Sequence, residues 1–234
     1  MRSHRLRAAA GNSDGSVVLD FTQGSAPSGT TTSYGSDSTT LSWANSNLNI
    51  SGDAGNNSYR LRLNKIFEGD YLFQLSTRLD DTTSGSFCND AGLALFTAVT
   101  HNDTTGNWDW AWSASAGRLA VQNNCPQPYI YGQSGQYAGT ANVLKPTSSG
   151  GSSNVGSYPS WITMNVRYLP SQTKIQYSVR AGKNDWTESG GVIQSTFELN
   201  ERFSQAGALG YYVGVSADFD NGTTLFSALR YKAL

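Results

Sequence analysis

The 234-residue sequence predicts an all-β protein, a two-sheet antiparallel jelly-roll sandwich. Short runs rich in aromatic and β-branched residues recur along its length, separated by turns of Gly, Ser, Thr and Asn. Charged residues make up only 14% of the chain while aromatics reach 12%, a mix typical of many strands joined by polar turns. No stretch holds a helical period for long, and Leu199 to Gln205 is the one candidate for a short helix.

Val17 to Phe21 opens the series and is followed by a Ser/Thr/Gly connection from Gly24 to Thr40 with little to bury. Leu41 to Ala44, Asn47 to Ser51 and Tyr59 to Leu63 are short strands. In the last, Tyr59, Leu61 and Leu63 face one way and Arg60 and Arg62 the other, which marks a sheet with one wet face. Asp70 to Leu79 alternates over the longest span, with Tyr71, Phe73, Leu75 and Thr77 on one face. Ala91 to Val99 is apolar on both faces and reads as a central strand. Trp108 to Ser115, Gly117 to Gln122, Trp161 to Leu169, Thr173 to Arg180, Val192 to Leu199, Ala208 to Ala217 and Thr224 to Lys232 complete the set. So many strands suit two packed sheets better than a small barrel.

Length and composition bound the organisation. All-β sandwiches reach this size as one unit, so residues 17–234 read as a single β-sandwich domain behind a flexible basic arm, residues 1–16, carrying Arg2, His4, Arg5 and Arg7. Ser148 to Ser153 reads as a surface loop, because neither flanking half closes a core. A net charge of -1 argues against a nucleic-acid partner. No apolar run is long enough for an ordinary transmembrane helix, so membrane insertion is not expected. The basic start lacks the apolar stretch of a secretory signal. Cys88 and Cys125 sit in loop-like surroundings, either as a disulfide closing about 36 residues or as two free thiols. Asn49, Asn56, Asn102 and Asn221 stand in glycosylation sequons.

Three segments resemble a known superfamily. Gly69-Asp70-Tyr71-Leu72-Phe73 through Arg78-Leu79-Asp80-Asp81 to Ala91-Gly92-Leu93-Ala94-Leu95-Phe96 looks like the early strands of concanavalin A-like lectin and laminin-G-like domains. The opening Val18-Leu19-Asp20-Phe21 and the ending Leu229-Arg230-Tyr231-Lys232-Ala233-Leu234 resemble the first and closing strands of such modules. The resemblance implies a curved sandwich whose concave face or loop rim binds carbohydrate, sometimes with calcium. The same scaffold carries glycosidases, lyases, protein-binding modules and viral surface proteins, so function has to be argued from sites.

The most unusual segment is Trp108-Asp109-Trp110-Ala111-Trp112, where strand alternation puts three indoles on one face, about 6.8 Å apart. That spacing suits stacking on successive sugar rings, and it equally suits packing of the core. Pro126 to Gly132 reads as a loop in which Tyr129 and Tyr131, with Gln133 beyond it, offer flat apolar faces and amide donors for glycan recognition, or simply anchor the loop. Asp218, Asp220 and Asn221 group oxygen ligands that suit calcium, with Asp80 or Asp81 brought in; the same segment also reads as a plain hairpin turn.

Catalytic signals are thin. The chain has four glutamates and two histidines and no paired carboxylates at glycosidase spacing along one strand. The leading expectation is a non-catalytic lectin-like module that binds a glycan or protein surface, outside the cell or on a virion. A structural surface or tail protein of a phage or virus particle, assembled as an oligomer and attaching to host glycans, is the first alternative. A polysaccharide-cleaving enzyme with carboxylates dispersed in sequence is the second.

Overall fold

The computed structural model describes residues 12–33, 40–52, 57–80, 90–97, 117–124, 127–134, 161–191, 193–199, 210–219 and 222–234. Fourteen strands are assigned there: β1 (Val17–Asp20), β2 (Thr30–Ser33), β3 (Thr40–Ser42), β4 (Leu48–Gly52), β5 (Asn57–Leu63), β6 (Tyr71–Asp80), β7 (Asp90–Thr97), β8 (Gly117–Asn124), β9 (Gln127–Ser134), β10 (Trp161–Leu169), β11 (Lys174–Ala181), β12 (Ile193–Glu198), β13 (Tyr211–Phe219) and β14 (Gly222–Ala233). They form two antiparallel sheets. One has eight strands in the order β12-β11-β10-β6-β14-β4-β3, with β1 also on β14; the other has six, in the order β2-β5-β13-β7-β8-β9. Among the described residues no helix is long and apolar enough to cross a membrane.

The core lies between the sheets and follows the alternation of the sequence. Phe73, Leu75, Met164, Val166, Tyr168, Ile175, Val179 and Leu229 enter it from the larger sheet. Leu61, Leu63, Leu93, Val213 and Val215 meet them from the smaller one. Phe67, just before β6, exchanges two backbone hydrogen bonds with Tyr211, at 2.8 and 2.9 Å, and so ties the two sheets' sequences together. Its ring stands edge-on to Phe73, Tyr71 and Tyr231 and is stacked on Tyr211. Lys65 caps this cluster at 4.7–5.6 Å from the Phe67, Tyr71 and Tyr231 rings.

The other face of the larger sheet is polar yet largely covered. Gln74, Ser76, Thr163, Asn165 and Arg230 alternate with core residues and are at most 5% exposed. The cover is residues 182–191, between β11 and β12. Asn184 N donates to Ser76 Oγ and Asp185 N to Thr163 Oγ1, each at 3.0 Å. Arg180 holds the segment from below, with Nε 2.8 Å from Asp185 Oδ2 and Nη1 2.8 Å from Ser189 O. Gly191 closes it at φ 134°, where a Cβ would stand 2.8 Å from Val179 O, so only glycine fits.

Residues 12–16, which the sequence counts with the basic arm, join the same cover. Asp14 takes hydrogen bonds from Ser16 Oγ at 2.7 Å and Ser16 N at 3.0 Å, and its Oδ2 lies 2.5 Å from Arg230 Nη2.

Three sequence expectations are corrected. The connection from Gly24 to Thr40 contains β2, an edge strand on β5 that buries little and is therefore silent in an apolar pattern. Pro126 to Gly132 is not a loop: Gln127–Ser134 is β9, again an edge, where Pro128 lacks an N–H without breaking the sheet. Asp218 to Thr223 is not a hairpin, because β13 pairs with β5 and β7 while β14 pairs with β6, β4 and β1. Both edges of each strand are filled, so the chain crosses from one sheet to the other there. The short helix expected at Leu199 to Gln205 and the strand expected at Trp108 to Ser115 lie outside the described residues.

Candidate functional site

The six-stranded sheet has one face in the core and one away from it, and its register shows what the outer face carries. Leu61, Leu93, Val213 and Val215 define the core side. The residues alternating with them form cross-strand rows. One row runs Arg62, Gly214, Ala94, Ala120, Tyr131 from β5 to β9; the next runs Arg60, Ser216, Gly92, Gln122, Tyr129. A third holds Tyr212, Phe96, Arg118 and Gln133.

The middle of this face is built of Gly and Ala, while its borders carry Arg, Tyr, Phe and Gln. Strands about 4.8 Å apart place the β5 and β9 borders about 19 Å from each other. By register Gly92, Ala94, Ala120 and Gly214 form a trough of small residues along the middle of the outer face, of which Gly92 and Gly214 are buried. At its β5 border the Arg62 guanidinium lies 4.6 Å from the centre of the Tyr212 ring, so a cation and an aromatic face form one stacked unit.

The trough gathers part of what the sequence singled out. Tyr129, Tyr131 and Gln133 take alternate positions on the edge strand β9 and so share the outer face. Asp218, next to last in β13, takes a position on the same face, opposite Asp90 of β7 on one side and Ser58 of β5 on the other. The register therefore makes two acidic residues direct ladder partners, Cβ atoms about 4.5–5.5 Å apart, at this end of the trough. Asp80 ends β6 opposite Thr223 of β14, at the same end of the sandwich.

Asp220, Asn221, Asp81, Trp108, Trp110, Trp112, Cys88 and Cys125 lie outside the described residues. No group of three His, Cys, Asp or Glu side chains able to hold a metal forms among the described residues. The sequon at Asn49 is buried: its Nδ2 donates to Ala44 O at 2.8 Å, and the residue is 8% exposed.

Sequence reasoning missed Asp90, Arg62 and the small-residue floor. A signal was present, since Gly92 and Ala94 alternate with Leu93 and Leu95 in the segment that looked apolar on both faces. Small residues on one side of a buried-looking strand mark a place where something else approaches.

Two packed antiparallel sheets, one of them carrying both terminal strands, define the concanavalin A-like jelly roll, and that is the fold of this chain. It is similar to lectin II from Ulex europaeus, with a TM-score of 0.60 and 9% identity over 94% of this chain and 98% of that one. The lectin from Bauhinia forficata in complex with GalNAc gives a TM-score of 0.54 at 10% identity, covering 92% of this chain and 97% of that one. The Emp46p carbohydrate recognition domain gives 0.54 at 9% identity, covering 88% and 89%. Potassium-bound and metal-free forms occur among the similar structures. No protein-family model and no curated protein matches the sequence. At such identity the likeness speaks for the fold alone.

Proposed function

We propose that this chain is a non-catalytic, lectin-like carbohydrate-binding module whose glycan lies in the trough of the six-stranded sheet. The observation that carries the proposal is the register. It lowers the floor with Gly92, Ala94, Ala120 and Gly214 and borders it with Tyr129, Tyr131, Gln133, Arg62 and Tyr212. A sugar ring has an apolar face that stacks on aromatic rings and a rim of hydroxyls that pair with amides, guanidinium and carboxylates. Both kinds of partner border this floor.

The tryptophan segment belongs to the same reading. Residues 98–116 leave β7 and enter β8 at the end of the trough marked by Phe96 and Arg118, and Trp108, Trp110 and Trp112 are within that connection. Their indoles are of the kind that stacks on sugar rings. Calcium fits the opposite end in kind: Asp90 and Asp218 stand in register, like charges that a cation would reconcile, and Asp220 and Asn221 supply further oxygens.

Glycan-array binding tests the proposal, with GalNAc and galactose among the ligands. The intact protein binds at least one glycan class, and Tyr131→Ala and Trp110→Ala each weaken it roughly tenfold or more. Absence of binding by the intact protein to every glycan would sink the reading. Adding calcium raises Tm if the acidic end holds the ion, and an unchanged Tm removes calcium from the account.

A second reading, polysaccharide cleavage, draws on the same Asp90 and Asp218, two acidic residues that the register makes ladder partners, as retaining glycosidases need two carboxyl groups about 5–5.5 Å apart. Release of reducing ends from a bound polysaccharide, abolished in Asp90→Asn, would favour it over simple binding.

A further inference from the structure

A second polar cavity lies on the other side of the molecule. It measures about 380 Å³ and sits on the outer face of the eight-stranded sheet, under residues 188–190. Asn165 and Arg167 of β10, Gln176 and Ser178 of β11 and Thr196 of β12 form its floor, in register, and Glu188 hangs from the covering segment. Its size falls near the lower end of the range for small-molecule pockets.

One buried donor in this cavity has no partner. Arg230 carries only donors, so its Nη1 fixes Gln74 Oε1 as the acceptor. Gln74 Nε2 then donates to Asn165 Oδ1 at 2.5 Å. The chain of bonds ends there: Asn165 is 4% exposed, and its Nδ2 has no hydrogen-bond partner. Oδ1 is turned to Gln74 on β6, while Asn165 itself lines the cavity on the β11 side with Nδ2 just beneath its wall, less than 1 Å² exposed. A buried amide N–H left without a partner is costly and rare in native proteins.

The opposite wall offers an acceptor. Glu188 Oε1 is occupied by Arg230 at 3.1 Å and Lys232 at 3.2 Å, but Oε2 has only a 3.9 Å approach to Arg167 Nη2. The segment bearing it is fixed by Arg167 Nη2 donating to Glu188 O at 3.2 Å and by Arg180 Nη1 donating to Ser189 O at 2.8 Å. A free anion here meets the Glu188 carboxylate, and a free cation meets Arg167. A hydroxyl suits both walls, since it accepts from Asn165 Nδ2 and donates to Glu188 Oε2. Gln176, Ser178 and Thr196 call for more than one such hydroxyl on the same ligand.

We propose that this cavity is a second ligand site, separate from the trough, that takes a single neutral sugar residue through its hydroxyls. The sugar spans Asn165 Nδ2 and the Glu188 carboxylate and enters past Gln176 and Thr196, which are exposed. Tyr177 is the one aromatic residue of the lining and its ring is packed in the core, so the sugar binds by hydrogen bonds and discriminates by hydroxyl position, in contrast to the stacking expected in the trough.

The test is a titration of the isotope-labelled full chain with methyl galactoside, methyl glucoside and methyl mannoside, each to about 50 mM, well above a millimolar Kd. The readout is the Asn165 side-chain amide signal. It shifts and saturates with at least one sugar, and Thr196→Trp, which fills the mouth from an exposed position, weakens that response roughly tenfold or more with Tm unchanged. Three results overturn the proposal: an Asn165 amide unmoved by all three sugars, an undiminished response in Thr196→Trp, or a response to sodium acetate as strong as to any sugar. Shifts confined to Gly92 and Gly214 uphold the trough and overturn this second site, so the two readings fail separately.

Discussion

Replacing Arg230 with Met keeps the length of the side chain and removes the cation on which the covered polar face depends. Arg230 is 5% exposed and bonds Gln74 Oε1, Asp14 Oδ2 and Glu188 Oε1, with a longer contact to Trp186 O at 3.4 Å. These contacts are not equal. The Asp14 side chain is 42% exposed, so water replaces most of what it loses and that pair adds little. Glu188 is 30% exposed and keeps Lys232.

Gln74 is fully buried, and losing Arg230 leaves its Oε1 without a donor, at about 1–3 kcal/mol. With the lost charged bond to Glu188 the total is about 3 kcal/mol. For a domain of this size that corresponds to a Tm lower by roughly 6–12 °C. Chemical denaturation of Arg230→Met against the parent chain measures it directly. A loss below about 1 kcal/mol would refute the assignment of Gln74 as the dominant partner. Gln74→Leu in the Arg230→Met background should then recover part of the loss, because it removes the orphaned acceptor.

Two further predictions concern acid and the cysteines. Hydrogen bonds from Ser16, and then the Arg230 contact, hold the Asp14 carboxyl far below its ordinary range, and Arg180 and Thr187 bring Asp185 to about 2. Burial pushes Glu188 up, but Lys232 and Arg230 outweigh it and leave the carboxyl lowered. Lowered carboxyls contribute stability that is complete above their unfolded values and is lost as pH falls through the folded ones, so Tm should hold above about pH 5 and fall toward about pH 2. A Tm flat across that window contradicts the ion-pair network. In β7 and β8, Ala91 stands opposite Asn123, which brings together the strand ends next to Cys88 and Cys125. In oxidising buffer the chain should lose the mass of two hydrogens, and reduction should cost about 3–4 kcal/mol; two alkylatable thiols in the native oxidised protein would refute the pairing.

Strands that bury one face were legible because burial imposes alternation. Trp161–Leu169 has the same limits in sequence and structure, and β6 and β11 differ by about one residue. The two edge strands of the smaller sheet were not. Thr30–Ser33 and Gln127–Ser134 each pair along one side only, and their sequences read as polar or Pro-containing connections. Pairing partners were also hidden, which is why Asp218 to Thr223 looked like a hairpin. Tyr129, Tyr131 and Asp218 were picked out by residue type, but only the register puts them on one face with Asp90 and the glycine floor. Burial of Gln74, Asn165 and Arg230 depends on a segment distant in sequence from β6, and no local pattern reports it.

The central claim is that a glycan occupies the floor at Ala94 and Ala120. Ala120 alternates in β8 with Val121, the ladder partner of the core residue Leu93, so Ala120→Trp adds its bulk at an outer-face position of the register. Isothermal titration with the strongest array ligand should show the parent chain binding and Ala120→Trp weakened roughly a hundredfold or more, with Tm preserved. Equal affinity in the two proteins would place the glycan elsewhere and contradict the account.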